Sequence, residues 1–170
     1  MSMVAYRDLL LRWNQRVNLT AASTAAEIDE HIADCLHLLP HLPRSGRLLD
    51  VGSGGGLPAV VIAIERPGLA ITALEPTHKK HAFLRTAARE LGLANLDPLA
   101  ERWEDHAGRD YTAATSRAFI DLARWLEIGA RFVAPGGTVL GMEGRDRLDP
   151  LPSGVTRHAY GTRAIINKII

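Results

Sequence analysis

LLDVGSGGGLP, residues 48–58, decides how this chain is read. A short apolar run ends in Asp50, and four glycines then fall within the five positions 52–56 before Pro58. Glycine loses more conformational freedom on folding than any other residue, so it is placed where the backbone needs positive φ or where another group must approach closely. An apolar run, a glycine-rich loop and a following helix form the strand–loop–helix unit in which free N–H groups at a helix start meet a ligand.

Outward from this loop the pattern alternates. Leu48–Val51 reads as a strand and Pro58–Ile64 as a helix with proline in its first turn. Ala70–Leu74 is a second strand, and Lys79–Leu91 a helix with Phe83, Leu84, Ala87 and Leu91 on one face. Leu96–Ala100 is a weak third strand, because Pro98 lies inside it. Tyr111–Ser116 is a fourth, and a helix over 120–133 follows. Pro135-Gly136-Gly137 reads as a turn before a fifth strand, Thr138–Met142. Two closing strands, near Val155–Tyr160 and Ala164–Ile170, are separated by Gly161-Thr162-Arg163 and should form an antiparallel hairpin.

Alternating strands and helices predict an α/β, Rossmann-like fold with a mostly parallel sheet, and a ligand at the carboxyl ends of its strands. Ahead of it, residues 4–42 read as helical. Tyr6, Leu9, Leu10, Trp13 and Val17 form one apolar stripe, with Trp13 in the core. Thr24 and Glu27 fit a capping box for a second helix with Ile28, Ile32, Cys35, Leu36 and Leu39 inward, ended by Pro40 and Pro43. The expected organisation is one domain over 1–170, with 1–44 a helical extension and 45–170 the α/β core.

Composition narrows the class. With 170 residues, 46% hydrophobic and 23% charged, the chain has enough apolar material for one packed core. A single cysteine, Cys35, excludes an internal disulfide framework and suits a reducing compartment. The chain has neither a run of about 18 apolar residues nor a signal-peptide pattern, so a cytoplasmic protein with no membrane partner is expected. The formal net charge of +1 permits partners of either sign.

The loop's acids decide between ligands. Gly54, Gly56 and Ala59 match a G-x-G-x-x-A dinucleotide pattern. Asp50, however, would face the pyrophosphate of a dinucleotide unfavourably, whereas a ligand bearing an ammonium and a sulfonium would gain from it. Glu75 ends the second strand about 20 residues past the loop, where an acid accepts hydrogen bonds from ribose hydroxyls. Asp50, Gly54, Gly56 and Glu75, with Ser53 inside the loop, therefore suit S-adenosyl-L-methionine better than NAD. A capped structural turn and a dinucleotide site remain the alternatives. No G-K-[ST] follows the glycines, which argues against a kinase or ATPase.

Six stretches carry a resemblance: RWNQRVNLT (12–20), HIADC (31–35), LLDVGSGGGLP (48–58), LEPTHKKHAFL (74–84), ERWED (101–105) and ATSRAF (114–119). In these the chain resembles the RsmG (GidB) family of bacterial methyltransferases. The resemblance implies a class I S-adenosylmethionine-dependent fold and methylation of N7 of a guanine in small-subunit (16S) ribosomal RNA. It implies cofactor contacts at Gly52, Leu57, Trp103, Glu104 and Arg117, with Trp103 and Glu104 flanking the adenine. Arg117, between cofactor and substrate, is the residue expected to orient the guanine. Ribosomal RNA or the small subunit is the implied partner, and a monomer is expected. The chain departs from the family at Ala59, Pro76 and Glu143-Gly144, where glycine, a small hydroxyl residue and Lys-Gly are usual, and in its short 145–154 segment.

Guanine N7 has an in-plane lone pair and no proton, so no general base is required and catalysis reduces to positioning. There is no Asn-Pro-Pro-Tyr motif for amino-group methylation, and Cys35 lies away from the strand ends, against a covalent thiol mechanism. A methyltransferase for another RNA or a small molecule, a non-catalytic S-adenosylmethionine-binding protein and a NAD-dependent reductase are the competing readings.

Other residues have two readings each. Arg7, Arg12, Arg16, Lys79, Lys80, Arg85 and Arg89 would line a phosphate-binding face or a solvated surface, with Arg12 and Arg16 on one helix face. Asn14 and Asn18 brace the cofactor loop or cap a helix end. His31, His37 and His41 lack the ligands of a metal shell, so no metal is expected, and Asp34 with His31 is read as a buried polar pair.

Overall fold

A computed structural model of the chain describes residues 2–117, 120–145 and 147–170. Ala118 and Phe119 of ATSRAF, and Asp146 of the 145–154 segment, lie outside the described residues.

Seven strands form one sheet: β1 (Gly46–Val51), β2 (Leu69–Leu74), β3 (Leu96–Leu99), β4 (Tyr111–Ser116), β5 (Val133–Glu143), β6 (Val155–Tyr160) and β7 (Arg163–Ile169). Their order is β3-β2-β1-β4-β5-β7-β6. β1 to β5 run parallel, and β7 is antiparallel to both β5 and β6. The direction of winding reverses between β1 and β4, which is where such sheets hold their ligands. Pro98 is tolerated in β3 because that strand is at the sheet edge.

Alternation along β1 divides its side chains between two cores. Leu48 joins a cluster with α1 (Met3–Asn14), α2 (Ala25–Leu36), α3 (Ala59–Glu65) and α4 (His78–Glu90). Leu49 and Val51 face Trp125, Leu126 and Ile128 of α5 (Leu122–Ala130). α3 is apolar all round, AVVIAIE, and a helix of that kind must be covered on every side. Tyr6, Leu9 and Leu10 of α1 and Ile28, Ile32 and Cys35 of α2 belong to the same buried cluster as Val60 and Ile62. The N-terminal helices therefore complete the core beside the glycine loop. Trp13 packs edge-on against Phe83, with ring centroids 5.6 Å apart.

Four element boundaries differ from the sequence expectations. α1 stops at Asn14, so Val17 and Arg16 leave the helix and Arg12 and Arg16 share no helix face. The cause is Asn14 itself. Its Oδ1 accepts from Leu19 N and Thr20 N at 2.8 and 3.0 Å, and its Nδ2 donates to the carbonyls of Thr20 and Ala22. Pro58 stands at the N-cap of α3. α5 starts after Asp121, whose carboxylate accepts from Arg124 N at 3.0 Å. Pro135-Gly136-Gly137 lies within β5, opposite a register shift between Tyr111 and Ala113 of β4. Its backbone stays in the sheet because Gly136 N donates to Ile170 O and Ile170 N to Gly137 O. The capping box at Thr24 and Glu27 forms as expected.

Candidate functional site

β1 delivers the loop of residues 52–58 to the sheet's carboxyl edge, beside the ends of β2 and β4. Gly52, Gly54 and Gly56 adopt φ of 72°, 52° and 86°, a region that side chains disfavour. The amides of Gly52 and Ser53 both donate to Leu74 O at 3.0 Å, which ties the loop to β2.

Two carboxylates hold the loop from beneath. Asp50 is fully buried. Its Oδ2 accepts from the Ser53 hydroxyl at 2.6 Å and its Oδ1 from the Thr115 hydroxyl at 3.0 Å. Burial pushes the Asp50 carboxyl up to about 7, against the lowering effect of those two bonds, and the nearby Glu75 adds to the rise. Glu75 is 5% exposed; burial raises its pKa, and Lys80 first, then the backbone of Thr77 and Gly54, opposes the rise. The structure thus places Asp50 under the loop, on Ser53 and Thr115.

The N-terminal helices close over the loop's other side. The buried Tyr6 hydroxyl donates to Gly55 O at 2.6 Å. A Cβ on Gly55 would come 3.1 Å from Leu10 Cδ1 and 3.2 Å from Leu19 O, the segment that Asn14 fixes. Asn14 therefore braces the loop through residues 19–22, whereas Asn18 is exposed and lies beyond the helix.

Two cavities open along this edge. One, about 220 Å³, is lined by Val51, Gly52, Leu74, Pro76, Trp103 and Glu104, with Glu101, Arg102, Ile120 and Arg124. It brings Gly52, Trp103 and Glu104 together as the sequence suggests. Ser53, Gly56 and Leu57 are buried; Leu57, 8% exposed, packs into the core under the loop. The second cavity, about 630 Å³, contains Arg117 and Ser116 at the end of β4, with His31, Met142, Glu143, Tyr160 and Arg163 around them. Ile120 lines both, so the cavities adjoin.

Several residues important to this arrangement had no local signal. Tyr6 read only as part of a helical stripe. Thr115 gains its role from being the register partner of Asp50. Arg124 lines the smaller cavity without belonging to any motif, and Arg102, inside ERWED, lines it with no role assigned from the sequence.

Other expectations resolve differently. Asp34 pairs with Arg163 at 2.6 Å and not with His31, whose Nδ1 is buried without a partner among the described residues. The hairpin places Arg163 over α2, and a full guanidinium charge outcompetes a neighbouring imidazole. His37 stacks on Tyr160, and His41 packs at a tilt against His158. Among the described residues no group of three His, Cys, Asp or Glu side chains is placed to hold a metal ion. Arg7 pairs with Asp8 and Asp29, and Arg12 with Glu90 at 3.7 Å. Burial pushes the Cys35 thiol up to about 12, which keeps it protonated and a poor nucleophile. No described helix is long and apolar enough to cross a membrane.

Known proteins share both sequence and architecture. A protein from Psychrobacter arcticus named ribosomal RNA small subunit methyltransferase G is 42% identical over 161 residues, covering 94% of this chain and 65% of that protein. One of the same name from Azoarcus sp. is 40% identical over 168 residues, covering 96% of this chain and 79% of its own length. The chain thus spans just under two thirds of the length of the Psychrobacter relative. Among solved structures, coclaurine N-methyltransferase bound to N-methylheliamine and SAH superposes with a TM-score of 0.60 at 14% identity, covering 84% of this chain and 44% of that one. The architecture is the class I methyltransferase fold: a mostly parallel seven-stranded sheet ending in an antiparallel hairpin. The model of the GidB family, described as rRNA small subunit methyltransferase G, matches residues 1–158, and the chain belongs to that family.

Proposed function

We propose that this chain transfers a methyl group from S-adenosyl-L-methionine to N7 of a guanine in small-subunit ribosomal RNA. The observation that carries the reading is the adjacency of the two cavities. The glycine-loop cavity with Trp103 and the larger cavity with Arg117 meet at Ile120, beside the ends of β1 and β4. Membership of the family and the names of its relatives supply the RNA.

The residues present fit a cationic adenosyl ligand. Burial, and after it the charge of Glu75, raises the pKa of Asp50, and a positive ligand nearby would favour its ionised form. Gly52, at positive φ, presents bare backbone to the smaller cavity. Trp103 offers an aromatic face for an adenine, and Glu104 an acceptor for its amino group. Glu75, buried at the end of β2, would accept from the ribose hydroxyls of that ligand. Asp50, Ser53, Gly54, Gly56 and Leu57 shape and hold the loop from below.

When bound, the cofactor supplies a sulfonium methyl carbon open to attack by a lone pair. Guanine N7, with a lone pair and no proton, would accept that methyl, so this chain's residues have only to hold the base in place. Arg117 orients the guanine with its forked N–H donors while leaving N7 free. No residue needs to remove a proton, so the chain's contribution is alignment at near-attack distance. We read residues 1–170 as one methyltransferase domain that works in the cytoplasm as a monomer, with residues 1–44 covering the loop side.

Incubation with methyl-labelled S-adenosylmethionine and small ribosomal subunits from a strain lacking the native modification tests this. Label in the ribosomal RNA is expected. Label in protein or small metabolites with none in RNA overturns the proposal.

A further inference from the structure

Glu143 ends β5 and opens onto the larger cavity. A bare carboxylate there would repel a polyanion. The structure shows how its charge is contained. The side chain is wholly buried, and Arg157 of β6 donates Nε and Nη2 to its two oxygens, each at 2.8 Å. Leu148 N donates to Oε1 at 2.7 Å, and Arg157 Nη2 also donates to Leu148 O at 2.7 Å. The pair with Arg157 holds the Glu143 carboxyl below the usual carboxylate range. One carboxylate thus fastens the chain after β5 to the hairpin.

That fastening positions guanidinium groups. Arg147 is held by Glu143 at 3.7 Å and by Thr162 O at 3.4 Å, yet its side chain remains 47% exposed. Arg163, paired with Asp34 of α2, remains 45% exposed. Both line the larger cavity with Arg117 and Arg145. The cavity's other acid, Asp121, caps α5. Glu143 is therefore engaged internally and Asp121 caps a helix, while arginine forks reach solvent at the mouth. Two buried polar atoms of the same wall, His31 Nδ1 and Tyr160 Oη, lack a hydrogen-bond partner among the described residues, as in a surface completed by a ligand.

We propose that Glu143 is a positioning residue and that Arg147 and Arg163, which it and Asp34 hold at the cavity mouth, seat the phosphodiester backbone flanking the target base. The inference rests on the RNA reading under Proposed function. Arginine forks match phosphate oxygens two at a time and fix the strand while carrying no base identity. Glu143 thus keeps its own charge paired with Arg157 of β6 while holding Arg147 at the mouth.

The test measures methyl transfer to small subunits lacking the native modification, as a function of salt, beside calorimetric binding of S-adenosylmethionine. Arg147→Ala and Arg163→Ala are each expected to raise KM for the subunit about tenfold and to reduce the slope of log KM against log salt by about one. Cofactor Kd should stay within about twofold, because neither residue lines the smaller cavity. Glu143→Gln is expected to raise KM in the same direction, and Arg147→Lys to retain the salt slope while losing part of the affinity. The two exposed arginines keep the test valid should the Glu143 variant fail to fold. Wild-type transfer to RNA with KM and salt slope unchanged in both alanine variants overturns this inference and leaves the proposed function standing. Cofactor binding with no transfer to RNA by the wild type overturns the proposed function, and this inference with it.

Discussion

Asp50 on β1 and Thr115 on β4 are register partners, and the Thr115 hydroxyl donates to the Asp50 carboxylate at 3.0 Å with no solvent in reach. The pair joins the two strands between which the sheet reverses its winding, and Ser53 extends the link into the glycine loop at 2.6 Å. An acid that sequence alone assigns to a ligand's charge is also the pin of the loop.

That burial has a pH consequence. The folded-state pKa of Asp50 is raised to about 7, above the unfolded value of about 3.9. The folded state therefore binds the proton more tightly. The stabilisation this provides is full below about pH 4 and is lost as pH rises through about 7. Urea unfolding from pH 5 to 8 should show this decline in the ligand-free protein, and Asp50→Asn should flatten it. A decline of wild-type steepness in Asp50→Asn would remove this carboxyl as the source.

Gly52→Asp adds a side chain at φ 72° and a negative charge on the wall of the smaller cavity. The backbone cost is about 1–2 kcal/mol of stability. Affinity for S-adenosylmethionine should fall about a hundredfold or more, because the carboxylate occupies space the ligand needs. Calorimetry measures this directly, and unchanged affinity would place the ligand elsewhere.

Trp103→Ala removes the only aromatic face lining that cavity among the described residues. Stacking of a base on an aromatic ring contributes about 1–3 kcal/mol, so cofactor Kd should rise about 5- to 150-fold. Because Trp103 is only partly buried, the melting temperature of the ligand-free protein should change little. A large loss of stability without loss of affinity would make Trp103 a packing residue.

Asn14→Ala removes four hydrogen bonds, two accepted and two donated, that fix residues 19–22 against the glycine loop. The expected destabilisation is about 2–3 kcal/mol, read by urea unfolding. Cofactor affinity should weaken as well, since Leu19 O abuts Gly55. Loss of stability with wild-type affinity would uncouple the N-terminal helices from the site.

Much of this was legible in the sequence for one physical reason: burial pattern is local. The apolar run before Asp50, the helical face of Phe83, Leu84 and Ala87, and the Thr24 capping box each carry their own period or spacing, and each forms as read. Pro98 weakens the reading of the third strand, which nevertheless forms because it lies at the sheet edge. The errors come from contacts distant in sequence. Nothing near Asp34 announces Arg163, 129 positions away. Pro135-Gly136-Gly137 has the composition of a turn, and only its pairing with Ile170 keeps it in β5. The apolar stripe of α1 continues to Val17, but the Asn14 side chain satisfies the backbone of the next segment and ends the helix first. In the site, the motif residues Gly52, Trp103 and Glu104 converge on one cavity, while Tyr6 and Thr115 act through strand pairing and helix packing that no motif encodes.

The most direct measurement of the central claim is the identity of the methylated nucleoside. After reaction with methyl-labelled S-adenosylmethionine, small-subunit RNA is digested to nucleosides and separated chromatographically. The account predicts label co-migrating with 7-methylguanosine and lost with Arg117→Ala. Label in any other nucleoside, or RNA left unlabelled by a protein that binds the cofactor, would contradict it.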